Sequence, residues 1–539
     1  MKMKKVFPAF AVVALVGGST AALTGCSSWR NNFAYDIDFT ADVKGTKIEF
    51  WTGFGSDIND EMGEILAEFT RLTGIKVKYE SKGSYDNVLN ASNLAATTGK
   101  FPNVLVGYPD HFASYVKQNT IVRLDYYFEN DIHNPEFEPE GEKFAIDDFY
   151  SDYMLENQSV EFDENGNPYT LGVPFNKSTE CLVYNKTFFS WCAAQDDLKD
   201  SIFVPATYQE LDSVGKAILK LLKDKNVYNQ VLLQDGSVKS AGNLTPAEEK
   251  QKVLDLTGVF EYGSAGHVAK ECFKPFSYDS QANLFITTVR QNGGTYTYLD
   301  KNDKQGYVAF NSQETINGLN TIKTMYKDYT FGIPNDWDEA KYGSNPFKAQ
   351  KTVMTLGSSA GVRNDAPPGN SFEIASAPVP YHSADKKFVI SQGANLALMD
   401  KGSREQRLAS WQLVKFLTKY ANGYICAKTG YYPSSEYAEQ GGMWANYDEE
   451  FIDYDSWLEE AVDSPSEAEK IKGQAALINR NYYVNPDEHW TKFVDQPFAG
   501  SAAVRNAVAN IPGYLLTEDM TAQAAIDKCL SSLKDFIKS

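Results

Sequence analysis

The chain predicts an α/β protein in which a parallel sheet is covered by helices. Three observations carry that expectation: short stretches of alternating apolar residues, longer stretches with apolar residues at helical spacing, and the regular exchange of one pattern for the other. "TKIEFWT" (46–52) alternates as a first strand. Residues 58–72 then place Ile58, Met62, Ile65, Leu66, Phe69 and Leu72 on one helical face, with Gly74 as the stop. "IKVKYE" (75–80) alternates again, residues 85–98 read as a second helix, and "NVLVGY" (103–108) is a continuously apolar third strand. In open sheets of this kind ligands gather beyond the carboxyl ends of the strands. Trp51, Tyr85 and Asp110 fall at or just after such ends and are candidate ligand residues on that ground.

Further along, residues 134–167 turn acidic and rich in Pro, Gly and Asn, which predicts a surface excursion. "ECLVYNKTFF" is another strand running into a helix. Residues 207–224 are an amphipathic helix, with Thr207 as N-cap and Glu210 completing a capping box. Residues 225–275 carry no clear periodicity and read as an insertion. Residues 403–422 form a strong helix with Ala409, Leu413, Phe416, Leu417 and Tyr420 on one side and Gly423 as its end. No internal repeat is visible.

The first forty positions do not resemble a folded domain. Lys2, Lys4 and Lys5 precede an apolar run from Phe7 to Val16, the build of a secretory signal peptide and too short for a permanent membrane span. Leu23-Thr24-Gly25-Cys26 resembles the bacterial lipobox, which implies cleavage before Cys26 and a diacylglycerol on its thiol. Residues 1–25 are then a lipoprotein signal peptide and 26–45 a polar tether, so the membrane is met only through the lipid anchor. No later segment has 18 consecutive apolar residues. The remainder, from about Thr46, is long enough for two lobes with their own cores.

The formal charge is −20, and removing residues 1–25 with their three lysines and no acids makes it −23. Such a surface repels nucleic acid and anionic lipid, which excludes both as partners. Aromatic residues make up 13% of the chain, including 32 Tyr, a composition suited to sugar faces and equally to a core. Cys181, Cys192, Cys272, Cys426 and Cys529 contain no C-x-x-C spacing, and disulfides among them stay open. The five histidines show no paired ligand spacing, so neither a metal nor a cofactor is expected.

Several ordered stretches, "KIEFWTGFG", "FTRLTGIKVKYESKGSYDNVLNA", "KFPNVLVGYPD", "GVPFNKSTECLVYNKTFF", "KAQKTVMTLGSSAGV", "QGANLALM" and "WQLVKFLTKYANGYICAKTGYYPSS", give the chain a family likeness. It resembles the extracellular solute-binding proteins of ATP-driven (ABC) importers, in the cluster that handles sugars and glycerol phosphates. Within that cluster "GSYDN", "KTGYYP" and "GSAAVRN" are most similar to the glycerol-3-phosphate-binding branch. The resemblance implies a periplasmic-binding-protein-like fold: two α/β lobes joined by crossing hinge segments, with a ligand cleft between them. Lobe I would comprise 46–172 and 393–427. Lobe II would comprise 173–392, with an insertion at about 225–275, and 428–539, with an insertion at about 435–495. Crossings are expected near Gly172–Phe175, Ser391–Gly393 and Cys426–Tyr431. Hinge closure would trap a sugar or polyol phosphate, and an extracytoplasmic, lipid-anchored monomer would deliver it unaltered to an ABC permease.

Asp110 offers a carboxylate for two ligand hydroxyls, its plain alternative being a helix cap. Tyr85 matches the tyrosine of the family's G-x-Y stretch, and Trp51 either stacks on a sugar or packs beneath its loop. Ser178, Tyr431 and Arg505 match ligand-binding positions of the glycerol-3-phosphate branch, and the Arg505 fork suits phosphate or carboxylate. Ser358 and Ser359 end a strand where hydroxyls and amides can grip an anion, and Gly393 lets backbone approach the ligand closely.

Gly357-Ser358-Ser359-Ala360-Gly361 also fits G-x-S-x-G, the nucleophile elbow of α/β hydrolases. That reading needs a helix directly after it, which Pro367-Pro368 oppose, and His382 and His489 are the only later histidines. A secreted glycoside hydrolase, using two carboxylates across a cleft, is the more serious alternative class.

Overall fold

Strand Lys47–Thr52 pairs in parallel with both Lys76–Ser81 and Val104–Gly107, as the alternating rhythm requires. The computed structural model describes residues 37–300, 303, 305–340, 342–440 and 453–538; the expected signal peptide and Cys26 lie outside the described residues. The first sheet has five strands in the order Lys76–Ser81, Lys47–Thr52, Val104–Gly107, Asn395–Leu398, Val173–Pro174, the last two joining antiparallel. Helix Ser56–Thr73 buries Met62, Ile65 and Phe69 against it. Gly74 ends this helix at φ 73, its N–H donating to the Thr70 carbonyl, a conformation that favours glycine.

The second sheet runs Phe331–Gly332, Phe276–Tyr278, Met354–Ser358, Glu180–Asn185, Ile374–Ala377. Helix Tyr208–Asp224 carries the anticipated capping box: Thr207 Oγ1 accepts from Glu210 N at 3.1 Å, and Glu210 Oε2 accepts from Thr207 N at 3.1 Å. Its Leu211, Val214, Ile218 and Leu222 are fully buried. Each sheet has its own apolar core, so the molecule has two lobes, the first-sheet lobe and the second-sheet lobe.

The chain passes between the lobes in one bundle of segments. Phe175 N and Asn176 N donate to the Ala394 carbonyl, Ser178 and Gln392 exchange backbone hydrogen bonds at 3.0 and 2.8 Å, and Tyr432 N donates to Lys177 O at 2.7 Å. The buried Lys177 ammonium pairs with Glu156 and reaches the Gly393 carbonyl at 3.2 Å. Desolvation at this site pulls the Lys177 pKa down.

Two expectations change, and the two stretches read as insertions take on structure of their own. Residues 134–167 are not a surface excursion: Phe137, Phe144 and Phe149 are buried and Glu138 pairs with the buried Lys415, because aromatic residues interrupt the polar run. Gly423 does not end its helix. After Arg404–Lys415 a π-turn (Phe416–Tyr420) leads into helix Asn422–Thr429, and a Cβ at Gly423 would meet the Ala438 carbonyl at 2.1 Å. Cys426 is therefore helical, and the third passage follows Gly430 at φ 82. Within 225–275, strands Val231–Leu233, Val238–Lys239 and Lys252–Asp255 form a small sheet whose Leu232, Val253 and Leu254 join the second-lobe core. Within 435–495, helix Glu467–Ile478 covers the edge strand Ile374–Ala377: Ile374 N donates to Glu467 Oε2 at 3.0 Å and Ser376 N to Gln474 Oε1 at 3.1 Å. The five cysteines are buried free thiols. Among the described residues no helix is long and apolar enough to cross a membrane.

Candidate functional site

Between the lobes lies a cleft of about 1420 Å³. Its first-lobe wall is built from the ends the strand pattern singles out. Ser84 caps helix Tyr85–Ala96 by accepting from Asn87 N, which sets Tyr85 at the first helical position facing the cleft. Tyr108 leaves strand Val104–Gly107 as the N-cap of helix Pro109–Gln118, so Asp110 sits in the first turn. The Tyr85 and Tyr108 rings meet edge to face at 5.0 Å, and the Tyr85 hydroxyl lies 3.1 Å from that of Tyr431.

The second-lobe wall is a chain of polar side chains. Tyr278 OH donates to Glu180 Oε2 at 2.6 Å and Asn283 Nδ2 to Glu180 Oε1 at 2.8 Å. Arg505 donates to the side-chain oxygen Oδ1 of Asn283 and, at 2.8 Å, to Asp495 Oδ2. Helix Ser501–Val508 presents Ser501 and Arg505, four residues apart, on its cleft side. Burial lifts the Glu180 carboxyl to about 7, against two hydrogen bonds that favour its ionised form. Burial likewise lifts Asp495 to about 6; Arg505 opposes the rise and the charge of Asp110 adds to it. Asp365, also on the wall, is held well above the usual carboxylate range by burial and by Asp279 beside it.

Of the nine candidate ligand residues, Tyr85, Asp110, Ser358, Tyr431 and Arg505 line the cleft together. The other four lie elsewhere. Trp51 packs in the first-lobe core, 9% exposed, with Lys82 Nζ 3.9 Å over its ring. Ser178 is 2% exposed within the crossing bundle, where its hydroxyl accepts from Ser358 Oγ at 3.4 Å. The buried Ser359 hydroxyl accepts from Thr179 N at 3.1 Å and from Asn479 Nδ2 at 3.3 Å. Gly393 does let backbone approach closely, but what approaches is Asn176: a Cβ would lie 1.8 Å from its carbonyl oxygen.

The G-x-S-x-G stretch has no following helix, only the 3₁₀ turn Val362–Asp365. Its central serine hydroxyl is held by Thr179 and Asn479, and His382 stacks on Tyr208, where burial lowers its pKa to about 4. Sequence reasoning missed Tyr108, Glu180, Asn283, Tyr296 and Asp495 on the walls. For Glu180 a signal exists, since it is the one acid in the strand run "ECLVYN". Asp495 sits in a stretch without pattern and offers none.

Two α/β lobes, one bundle of crossing segments and a polar cleft between them define a clamshell binding protein. The chain belongs to the bacterial extracellular solute-binding proteins, whose family profile matches residues 64–451. Its fold is similar to that of the GacH receptor of Streptomyces glaucescens, solved unliganded and with acarbose, at TM-score 0.57 and 15% identity over 92% of this chain and 99% of that one. It is also similar to UgpB from Mycobacterium tuberculosis in complex with glycerophosphocholine, at TM-score 0.59 and 14% identity over 91% and 98% of the two chains. The ABC substrate-binding protein Lmo0181 from Listeria monocytogenes, in complex with cycloalternan, gives TM-score 0.59 and 12% identity over 91% and 98%. No curated protein sequence matches the chain.

Proposed function

We propose that this protein is the capture subunit of an ABC importer for an uncharged, hydroxyl-rich solute, a sugar or oligosaccharide, which it delivers to a membrane permease. The observation that carries this reading is the state of Arg505. Its guanidinium is neutralised by Asp495 and also donates to Asn283, so that pair brings no net charge to the cleft, while Asp110 and the unpartnered Asp495 Oδ1 offer acceptors for hydroxyls. Tyr85 and Tyr108 supply ring faces beside them. The cleft exceeds the roughly 300–1,000 Å³ of drug-sized sites and suits a ligand of several rings. The acarbose and cycloalternan complexes of similar folds support a saccharide; the glycerophosphocholine complex supports the polyol-phosphate alternative.

A thermal-shift screen against maltooligosaccharides, monosaccharides, glycerol-3-phosphate and glycerophosphocholine tests the reading, since a ligand that binds only the folded state raises Tm with its occupancy. A saccharide that raises Tm and is recovered intact after incubation supports it. A response to the phosphates alone, or cleavage of the saccharide, overturns it. We further propose that Cys26 carries the lipid anchor. Cys26→Ser should then release the protein from the membrane fraction, and unchanged membrane retention would refute the anchor.

A further inference from the structure

A second cavity of about 360 Å³ adjoins the cleft, and Tyr296 with Val494–Pro497 lines both. Asp152, Glu156 and Ser159 face it from the first lobe; Arg290 and Lys492 face it from the second. We propose that this cavity binds a small oxyanion, a phosphate or sulfate, between the Arg290 guanidinium and the Lys492 ammonium.

Arg290 forms no hydrogen bond or ion pair with any described residue, and its Nε is buried without a partner. Its guanidinium carbon lies 5.2 Å from the Phe388 ring and 5.4 Å from the Phe493 ring, so cation–π contacts hold the group in place without satisfying its N–H donors. Lys492 is 4% exposed, and its nearest carboxylate, Asp152, is 3.5 Å away and 56% exposed. The other two acids of the cavity are already matched: Glu156 by Lys177, and Asp495 by Arg505 at 2.8 Å. Pairing every acid with the cation that contacts it leaves Arg290 over, its charge felt by Asp495 but not in contact with it. The Tyr296 hydroxyl, on a residue 4% exposed, is also buried without a partner on this wall. Enclosed charges and donors are normally paired. An oxyanion supplies acceptors to the guanidinium fork, the ammonium and the hydroxyl together.

The test is a thermal-shift titration with sodium phosphate and sodium sulfate against sodium chloride at matched ionic strength. Wild type should gain Tm with phosphate or sulfate. The apparent affinity should fall at least tenfold in Arg290→Gln and Lys492→Met, and stay unchanged in Lys348→Met, which removes a cation of the cleft wall that is not on the second cavity. Loss of the response in Lys348→Met but not in Arg290→Gln would place the anion in the cleft and overturn the proposal, as would no response in wild type. A selenate soak of wild-type crystals gives a readout free of variant stability. An anomalous peak between Arg290 and Lys492 is expected, and an empty cavity at saturating selenate refutes the site.

Discussion

The hydroxyls of Tyr85 and Tyr431 stand 3.1 Å apart, one at the start of a first-lobe helix and the other at the third passage between lobes. Burial raises the pKa of both phenols, so both remain neutral donors and acceptors at any physiological pH. The pair ties a cleft wall to the hinge, and a ligand that hydrogen-bonds to either hydroxyl also senses the other.

Removing one hydroxyl of this pair should weaken ligand binding. Tyr85→Phe or Tyr431→Phe is expected to cost about 1 kcal/mol of binding, a roughly fivefold rise in Kd. The double variant should fall short of the sum, because the two hydroxyls share one contact. Isothermal titration with the ligand found by the screen reads this directly, and additive losses would show the pair to be uncoupled.

Acid should stabilise the unliganded protein over part of the pH range. Glu180 and Asp495 have folded pKa values of about 7 and about 6, above the unfolded values near 4. Between the unfolded and folded values the native state binds more protons than the unfolded chain, so stability falls as pH rises from about 4.5 to about 7. Glu180→Gln should remove a share of this slope on the order of 3 kcal/mol across that window. Urea unfolding at several pH values measures it; a slope unaltered by the substitution would rule out Glu180 as its source.

Arg505→Ala should leave Asp495 enclosed without its cation. A loss of roughly 3 kcal/mol near neutral pH is expected, shrinking below about pH 5, where Asp495 takes up a proton instead. Denaturant midpoints at the two pH values check the sign, and an equal loss at both would mean that packing, not charge, is what the arginine provides.

Gly393→Ala should be among the most damaging single changes in the chain. At φ 96 the residue is in a region that side chains avoid, and the added methyl would lie 1.8 Å from the Asn176 carbonyl oxygen. A loss exceeding about 3 kcal/mol is expected, with the backbone of two passages forced apart. Near-wild-type denaturant stability would mean the bundle is looser than the structure draws it.

Local signals are legible in the sequence, and relations across long separations are not. The Thr207 and Glu210 box, the Gly74 stop and the strand ends that position Tyr85 and Asp110 each depend on a few neighbouring residues. Trp51 shows where that reasoning ends: alternation places it at a strand end, but not that its ring turns into the core under Lys82. Glu180 and Asp495 acquire their meaning from Tyr278, Asn283 and Arg505, contributed by segments far apart in the chain. Gly423 carries the usual mark of a helix end, yet it serves a tight packing site against Ala438. Residues 134–167 look like a solvated loop by composition, while three phenylalanines pull them into the core.

The strands that carry the chain from one half to the other are gathered around a single buried ammonium, Lys177. On the capture role proposed above, such a spine would be the axis about which the halves close. Cargo preference could then drift by exchanging wall residues alone, while the stroke offered to a permease stays the same.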